Sequence, residues 1–349
     1  MTPRWYLQRI FGQRIFGLRE AGVYYALLLL VVSLTVLTSA MGRPSYLSPV
    51  NLTNIVYQSS LVAIMGVAMT VVLITGNFDL SVASVAALAA AVHISVVDSV
   101  GFGPALAAAL GVSAVIGLLN GAMVQFVGIN AFIVTLGTLT AVRGLVLIVT
   151  NGRSLMVQEP GSLAIMTAFE SGRAGPLPYP VLYMVAFTLL VWFVLTFTTV
   201  GRRVYAVGGN PEAARLSGVN VHAYKLGAFV LSSLAAGFAG VLFGCRFGAI
   251  NPTALQGEEL TVIAAAILGG TSLFGGAGSV IKTVAGALLL FTLTNGFNIL
   301  NLGANYQGVI EGTVLVLAAG MYTVGGRRRA RTRVPSAGGA QASQIKEPV

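Results

Sequence analysis

The chain has 349 residues, of which 56% are hydrophobic and only 9% charged, against roughly 25% charged residues in a soluble globular domain. That composition excludes a soluble enzyme or binding module and describes an integral membrane protein of many spans. The net charge of +10 does not indicate nucleic-acid binding, because the basic residues lie between apolar runs and at the two ends rather than along one stripe.

Residues 1–20 read as a basic arm in which QRIFG occurs at 8–12 and again at 13–17, either an interfacial helix or a loose tail. The apolar run at 21–40 is long enough to cross about 30 Å of hydrocarbon and predicts a retained first helix rather than a cleaved leader. Further apolar segments of spanning length, allowing for short or broken ones, are predicted near 55–75, 80–98, 104–127, 131–150, 180–199, 226–245, 258–273, 277–298 and 306–324. The fold class is therefore all-α and polytopic, with about ten transmembrane helices occupying residues 21–325. The 43 glycines are spread along these runs, where they allow close helix contact in lipid. Residues 326–349 are basic, then small and polar, and predict a disordered tail.

Ten spans put both termini on one side. Arg4, Arg9, Arg14 and Arg19 precede the first span, Arg202, Arg203, Arg215 and Lys225 follow the sixth, and Arg327, Arg328, Arg329, Arg331, Arg333 and Lys346 follow the tenth. Fourteen of the 20 basic residues then share that side, which the positive-inside rule makes the cytoplasm, giving N-in and C-in. Residues 151–179 become the largest external loop.

No catalytic constellation is present. His93 and His222 are the only histidines and belong to no metal-binding H-E-x-x-H pattern, and no serine occupies G-x-S-x-G. Cys245 is the only cysteine, which excludes an intrachain disulfide and any cysteine metal motif. The stretch GGAGSVIKT at 275–283 departs from a phosphate-binding loop at Ile281, where glycine should precede Lys282. No catalytic residue, metal site or cofactor of this chain's own is expected.

Polar residues inside or beside the spans are the candidates for function. In TGNFDLSVASVA at 75–86, Asp79 either caps the following helix, with Ser81 in its first turn, or marks a break that exposes polar groups beside a solute cavity; both can hold together. Thr135, Thr138 and Thr140 predict hydrogen bonds within or between helices, with pore lining as the alternative. The segment GFNILNLGANYQG at 296–308 sets Asn298, Asn301, Asn305 and Gln307 near the predicted outer ends of two spans. Asn77, Asp79, Ser81, Thr135, Asn295 and Asn298 are the candidates for a translocation path or gate.

The predicted cytoplasmic loop at 200–225 contains GGNPEAARLSGVNV at 208–221. Asn210 is a favoured N-cap, Pro211 suits the first helical position, Glu212 complements the positive end of the helix dipole, and Gly218 suits a C-terminal cap. A two-turn helix over about 211–217 follows. Because so short a helix is not stable alone in water, it rests either on the bilayer surface or against a partner.

Four segments, GNFDLSVASVAALAA, FIVTLGTLTAVRGLVLIVTNG, GRRVYAVGGNPEAARLSGVNV and AAAILGGTSLFGGAGSVIKTVAGALLLFTLTNGFNIL, in this order, resemble the membrane subunits of ABC sugar importers, the family of ribose, xylose and galactose permeases. The resemblance covers nearly all of residues 21–325. It implies a permease that pairs with a second permease subunit, a like copy or a paralogue, in the bacterial cytoplasmic (inner) membrane. It also implies an ATP-binding subunit that carries ATP and Mg, and a periplasmic or lipid-anchored solute-binding protein. The family's coupling helix falls on Asn210, Pro211, Glu212, Ala213, Ala214, Arg215, Ser217 and Gly218, which would explain a polar stretch in so apolar a chain. The chain departs from the family pattern at Asn77 and Ala83, commonly glycine, at Glu311, often basic, and at Lys282, commonly small. A permease for branched-chain amino acids or another small solute is the alternative within transport, and a stand-alone secondary transporter the alternative outside it.

Overall fold

The computed structural model describes residues 21–301 together with Val309, Gly312 and Thr313. The N-terminal arm, the C-terminal tail, Asn305, Gln307 and Glu311 lie outside the described residues, as does the predicted tenth span apart from those three positions. The chain runs α1 (Gly22–Ala40), α2 (Pro49–Ile74), α3 (Val82–Val100), α4 (Phe102–Ala122, continued by a π-helical turn, Met123–Val127) and α5 (Ala131–Thr150). After a short strand β1 (Leu155–Met156) come α6 (Pro160–Ser171), the strands β2 (Arg173–Ala174) and β3 (Leu177–Pro178), α7 (Tyr179–Phe197), α8 (Thr199–Gly209) and α9 (Pro211–Leu216). The described chain closes with α10 (Val221–Phe247), β4 (Ala249–Ile250), α11 (Glu258–Leu268) and α12 (Val280–Leu300).

Eight of these helices, α1, α2, α3, α4 with its π turn, α5, α7, α10 and α12, are long and apolar enough to cross a membrane. The protein is an all-α polytopic membrane protein. Among the described residues the strands form two antiparallel clips, Leu155 opposite Ile250 and Arg173 opposite Pro178.

The segment predicted at 258–273 is one of the short ones. Helix α11 has 11 residues, about 16 Å at 1.5 Å per residue, half the hydrocarbon thickness. It stops because Gly269 and Gly270 follow. Gly270 takes φ +81, its N–H donates to Ile267 O, and the Thr271 N–H donates to Ala266 O, the paired bonds of a glycine-terminated helix.

Helices α2, α3 and α10 are the most buried spans of the bundle, and small residues bring α10 close to its neighbours. A methyl added at Gly117 of α4 would come within 2.8 Å of the Val230 Cα, and one at Gly121, four residues on, within 3.0 Å of the Leu226 Cα. On α10 itself, Gly240 leaves room only for the Ala86 carbonyl of α3. Without a hydrophobic drive between helices in lipid, this glycine-to-backbone fit is what holds them.

The helix ends gather in two layers. One contains Ile74, the turn at Gly128–Asn130, helices α8 and α9, and the loop 269–279; the Gly276 N–H donating to Ile74 O at 2.8 Å ties part of it together. The other contains the loops 41–48, 151–178 and 248–257, joined by the β1–β4 clip and by the Gln158 N–H donating to Asp98 Oδ2 at 2.8 Å. Arg202, Arg203 and Arg215 belong to the first layer; Arg43, Arg153 and Arg173 belong to the second.

Candidate functional site

The capped helix forms as its residues dictate. Asn210 has extended backbone angles, and its Oδ1 accepts the Ala213 N–H at 3.0 Å; Pro211 occupies the first turn, where no N–H is needed. At the other end Gly218 takes φ +78, the Gly218 N–H donates to Arg215 O, and the Val219 N–H donates to Ala214 O. Both caps lie where the sequence sets them, and the helix runs over 211–216.

Its faces differ. Ala214 is buried against its own protein, whereas Glu212 and Arg215 form an exposed ion pair at 2.8 Å, which contributes little to stability. Leu216, not singled out from sequence, is 81% exposed. A leucine that open on a two-turn helix gains nothing from its own fold. The free face is therefore Pro211, Glu212, Ala213, Arg215 and Leu216, while Asn210, Ser217 and Gly218 end the helix.

In the same layer, the linker between α2 and α3 turns the chain around a buried polar cluster. Asp79 is fully buried, and its Oδ1 accepts the Ser81 N–H at 3.0 Å and the Ser81 hydroxyl at 2.6 Å. This carboxylate-to-backbone turn starts α3; Ser81 precedes the helix rather than standing in its first turn. Asn120 of α4 donates from Nδ2 to Ser81 Oγ at 3.0 Å, and Thr138 of α5 donates to Asn120 Oδ1 at 2.6 Å. The second carboxylate oxygen of Asp79 and the nearby Ser232 hydroxyl of α10 are both buried, and their approach falls outside hydrogen-bond geometry.

Beside this cluster lies a cleft of about 590 Å³, lined by Gly76, Asn77, Phe78, Leu80 and Ile263 and by the turn around Asn130. The linker thus both caps a helix and borders a cavity. Asn77 is buried with its Nδ2 on Thr75. Thr135 is buried and donates to Ala131 O in its own helix at 2.8 Å, taking no part in the cluster.

A family model described as the permease component of the branched-chain amino acid transport system matches residues 51–319. The chain belongs to this permease family. It is similar to the ribose import permease protein of Escherichia coli, at 40% identity over 84% of this chain and 90% of that protein. The L-arabinose transport system permease protein of Escherichia coli is 37% identical over 83% and 88%, and its D-allose counterpart 34% over 86% and 90%. No solved structure matches the chain.

In the permease, Asn295 and Asn298 stand apart from the other path candidates. Asn295 donates from Nδ2 to Asn51 Oδ1 at 2.9 Å, and Asn51 in turn donates to Tyr46 O. Tyr46 is buried, with its hydroxyl on Thr292 O. Asn298 is exposed. These residues lie in the second layer, so the six candidates divide between the two ends of the bundle. Asn120 was missed from sequence because one asparagine inside an apolar run carries no pattern; its burial beside Ser81 is what distinguishes it.

Proposed function

We propose that this chain is the permease subunit of an ATP-binding cassette importer that passes a monosaccharide or similar polyol across the bacterial cytoplasmic (inner) membrane. Energy comes from ATP and Mg bound by a separate ATP-binding subunit, and the path is completed by a second permease subunit, a like copy or a paralogue. A periplasmic or lipid-anchored binding protein delivers the solute. The sugar reading rests on relatives named for ribose, allose and arabinose import. The family model's description names branched-chain amino acids, which makes leucine the control solute.

The observation that carries the reading is the doubly capped helix α9, held on its buried side by Ala214 and open on its other side. Such a helix fits docking in a partner's groove. The positive-inside rule assigns its layer, with Arg202, Arg203 and Arg215, to the cytoplasm. Because the chain still passes from Gly248 in the second layer to the loop 269–279 in the first by way of half-length α11, N-in and C-in topology remains the reading, with residues 21–325 as the permease domain. The cleft beside Asn77 then opens near that side.

The test is purification in mild detergent followed by reconstitution with the co-purifying ATP-binding subunit. ATP-dependent uptake of a labelled pentose or hexose, with leucine inert, is the expected result. ATP hydrolysis by the permease alone, or uptake driven by an ion gradient without ATP, overturns the reading.

A further inference from the structure

Between α9 and the cleft, three distant segments meet through their backbones. Gly208, two residues before the α9 cap, leaves no room for a side chain: an added methyl would overlap Ile74 O and come within 2.7 Å of Gly276 N. A methyl on Gly275 would lie 2.7 Å from Gly208 O and 3.1 Å from the Gly76 Cα, and one on Gly276 2.8 Å from the Gly209 Cα. Gly76, Gly275 and Gly276 take φ +79, +83 and +73, a region that favours glycine.

Two hydrogen bonds clamp the contact. Ile74 O, one of the carbonyls a helix end leaves free, is taken by the Gly276 N–H at 2.8 Å. The Tyr205 hydroxyl of α8 donates to Gly278 O at 2.9 Å. Burial pushes the Tyr205 pKa up, so the hydroxyl keeps its proton as donor.

We propose that this junction is the mechanical link from the docking helix to the solute path, with Gly208 and Tyr205 as positioning residues. The inference rests on the reading of α9 as the site of ATPase docking. Side chains absorb small displacements by changing rotamer, but backbone in contact with backbone has no rotamer to change. A shift of α9 therefore passes through Asn210 and Gly208 to Ile74 and Gly76. Gly76 leads directly into Asn77, Phe78 and Leu80, which line the cleft, and into Asp79, which starts α3. The junction also includes the loop 275–278 just ahead of α12, so one push reaches α12 as well as the linker.

The test is the number of solute molecules moved per ATP hydrolysed, measured in vesicles holding the permease with its ATP-binding subunit. A loss of folded protein lowers both rates and leaves their ratio alone; a broken link lowers the ratio. Gly208→Ala and Gly276→Ala are expected to retain ATPase binding and hydrolysis while the ratio falls about 2- to 30-fold. Tyr205→Phe, which removes one hydroxyl and keeps the ring, is expected at the lower end of that range. Gly209→Ala is the control, because an added methyl there meets nothing within 4 Å. If Gly208→Ala and Gly276→Ala do not fold, Tyr205→Phe decides. A wild-type ratio in the folded variants, or a Gly209→Ala ratio as low as theirs, overturns the junction. A wild-type complex that moves solute without consuming ATP overturns the docking reading itself, and the link with it.

Discussion

Thr138 donates to Asn120 at 2.6 Å, and Asn120 passes the connection on to Ser81 at 3.0 Å, so α5, α4 and the start of α3 share one chain of hydrogen bonds ending on buried Asp79. Thr138, Asn120 and Ser81 each donate to the next, while the second carboxylate oxygen of Asp79 lies outside the chain. Asn120→Ala removes the middle of the chain and leaves the buried Ser81 hydroxyl and the half-buried Thr138 hydroxyl without this partner. The expected loss of stability is about 1–3 kcal/mol, read as a lower thermal midpoint of the purified permease. An unchanged midpoint means the cluster contributes nothing to the fold.

For Asp79, Asn and Ala replacements should separate. An amide oxygen still accepts the Ser81 N–H, whereas alanine removes the turn that begins α3. Uptake is expected to fall further in Asp79→Ala than in Asp79→Asn. Equal loss of uptake in two well-folded variants would make the charge itself the requirement and point to an ion-coupled step.

On α9, Glu212→Lys and Leu216→Ala change only exposed positions. Neither should alter the permease's own stability by more than about 1 kcal/mol. Both should reduce the yield of co-purified ATP-binding subunit, or retain it with hydrolysis no longer driving uptake. Wild-type yield, ATPase rate and uptake in both would return α9 to an ordinary connecting loop. Bulky replacement of Ala214 tests something else, because that side chain packs inward.

Topology is accessible to thiol labelling in a Cys245→Ser background. A cysteine replacing exposed Ile165 in α6 should react with an impermeant reagent added outside intact cells. One replacing exposed His222, at the start of α10, should react only after the cytoplasmic side is opened. The reverse pattern inverts the orientation.

Arg143 lies within a span, and its guanidinium grips two loop carbonyls, Pro252 O at 3.2 Å and Ala254 O at 2.8 Å, just ahead of the half-length helix α11. Hydrogen bonds from a charged donor contribute about 1.5–3 kcal/mol, and Arg143→Ala should lower the thermal midpoint accordingly. Loop 251–257 should also become more open to protease. Arg143→Lys should recover part of the loss, since both bonds come from the single Nη1 and an ammonium is also a charged donor, though without the guanidinium's fixed geometry.

The sequence by itself determined what depends on neighbours along the chain. Apolar length places the eight described spans, and N-cap, proline and glycine chemistry place α9 to within one residue at its C-terminal end, because those interactions close over three to six residues. The same local logic marks 258–273 as an apolar segment but does not show that Gly269 and Gly270 end α11 at half the hydrocarbon thickness. Tertiary structure alone decided which polar residues meet. Asn120 joins Ser81, and Gly208 joins Ile74 and Gly276, across stretches that no periodicity relates. Thr135 and Thr138 stand one turn apart on α5, yet only Thr138 reaches the cluster. The rotation of α5 against its neighbours, which its own Gly137 and Gly144 do not set because no neighbouring helix among the described residues approaches them, chooses between them.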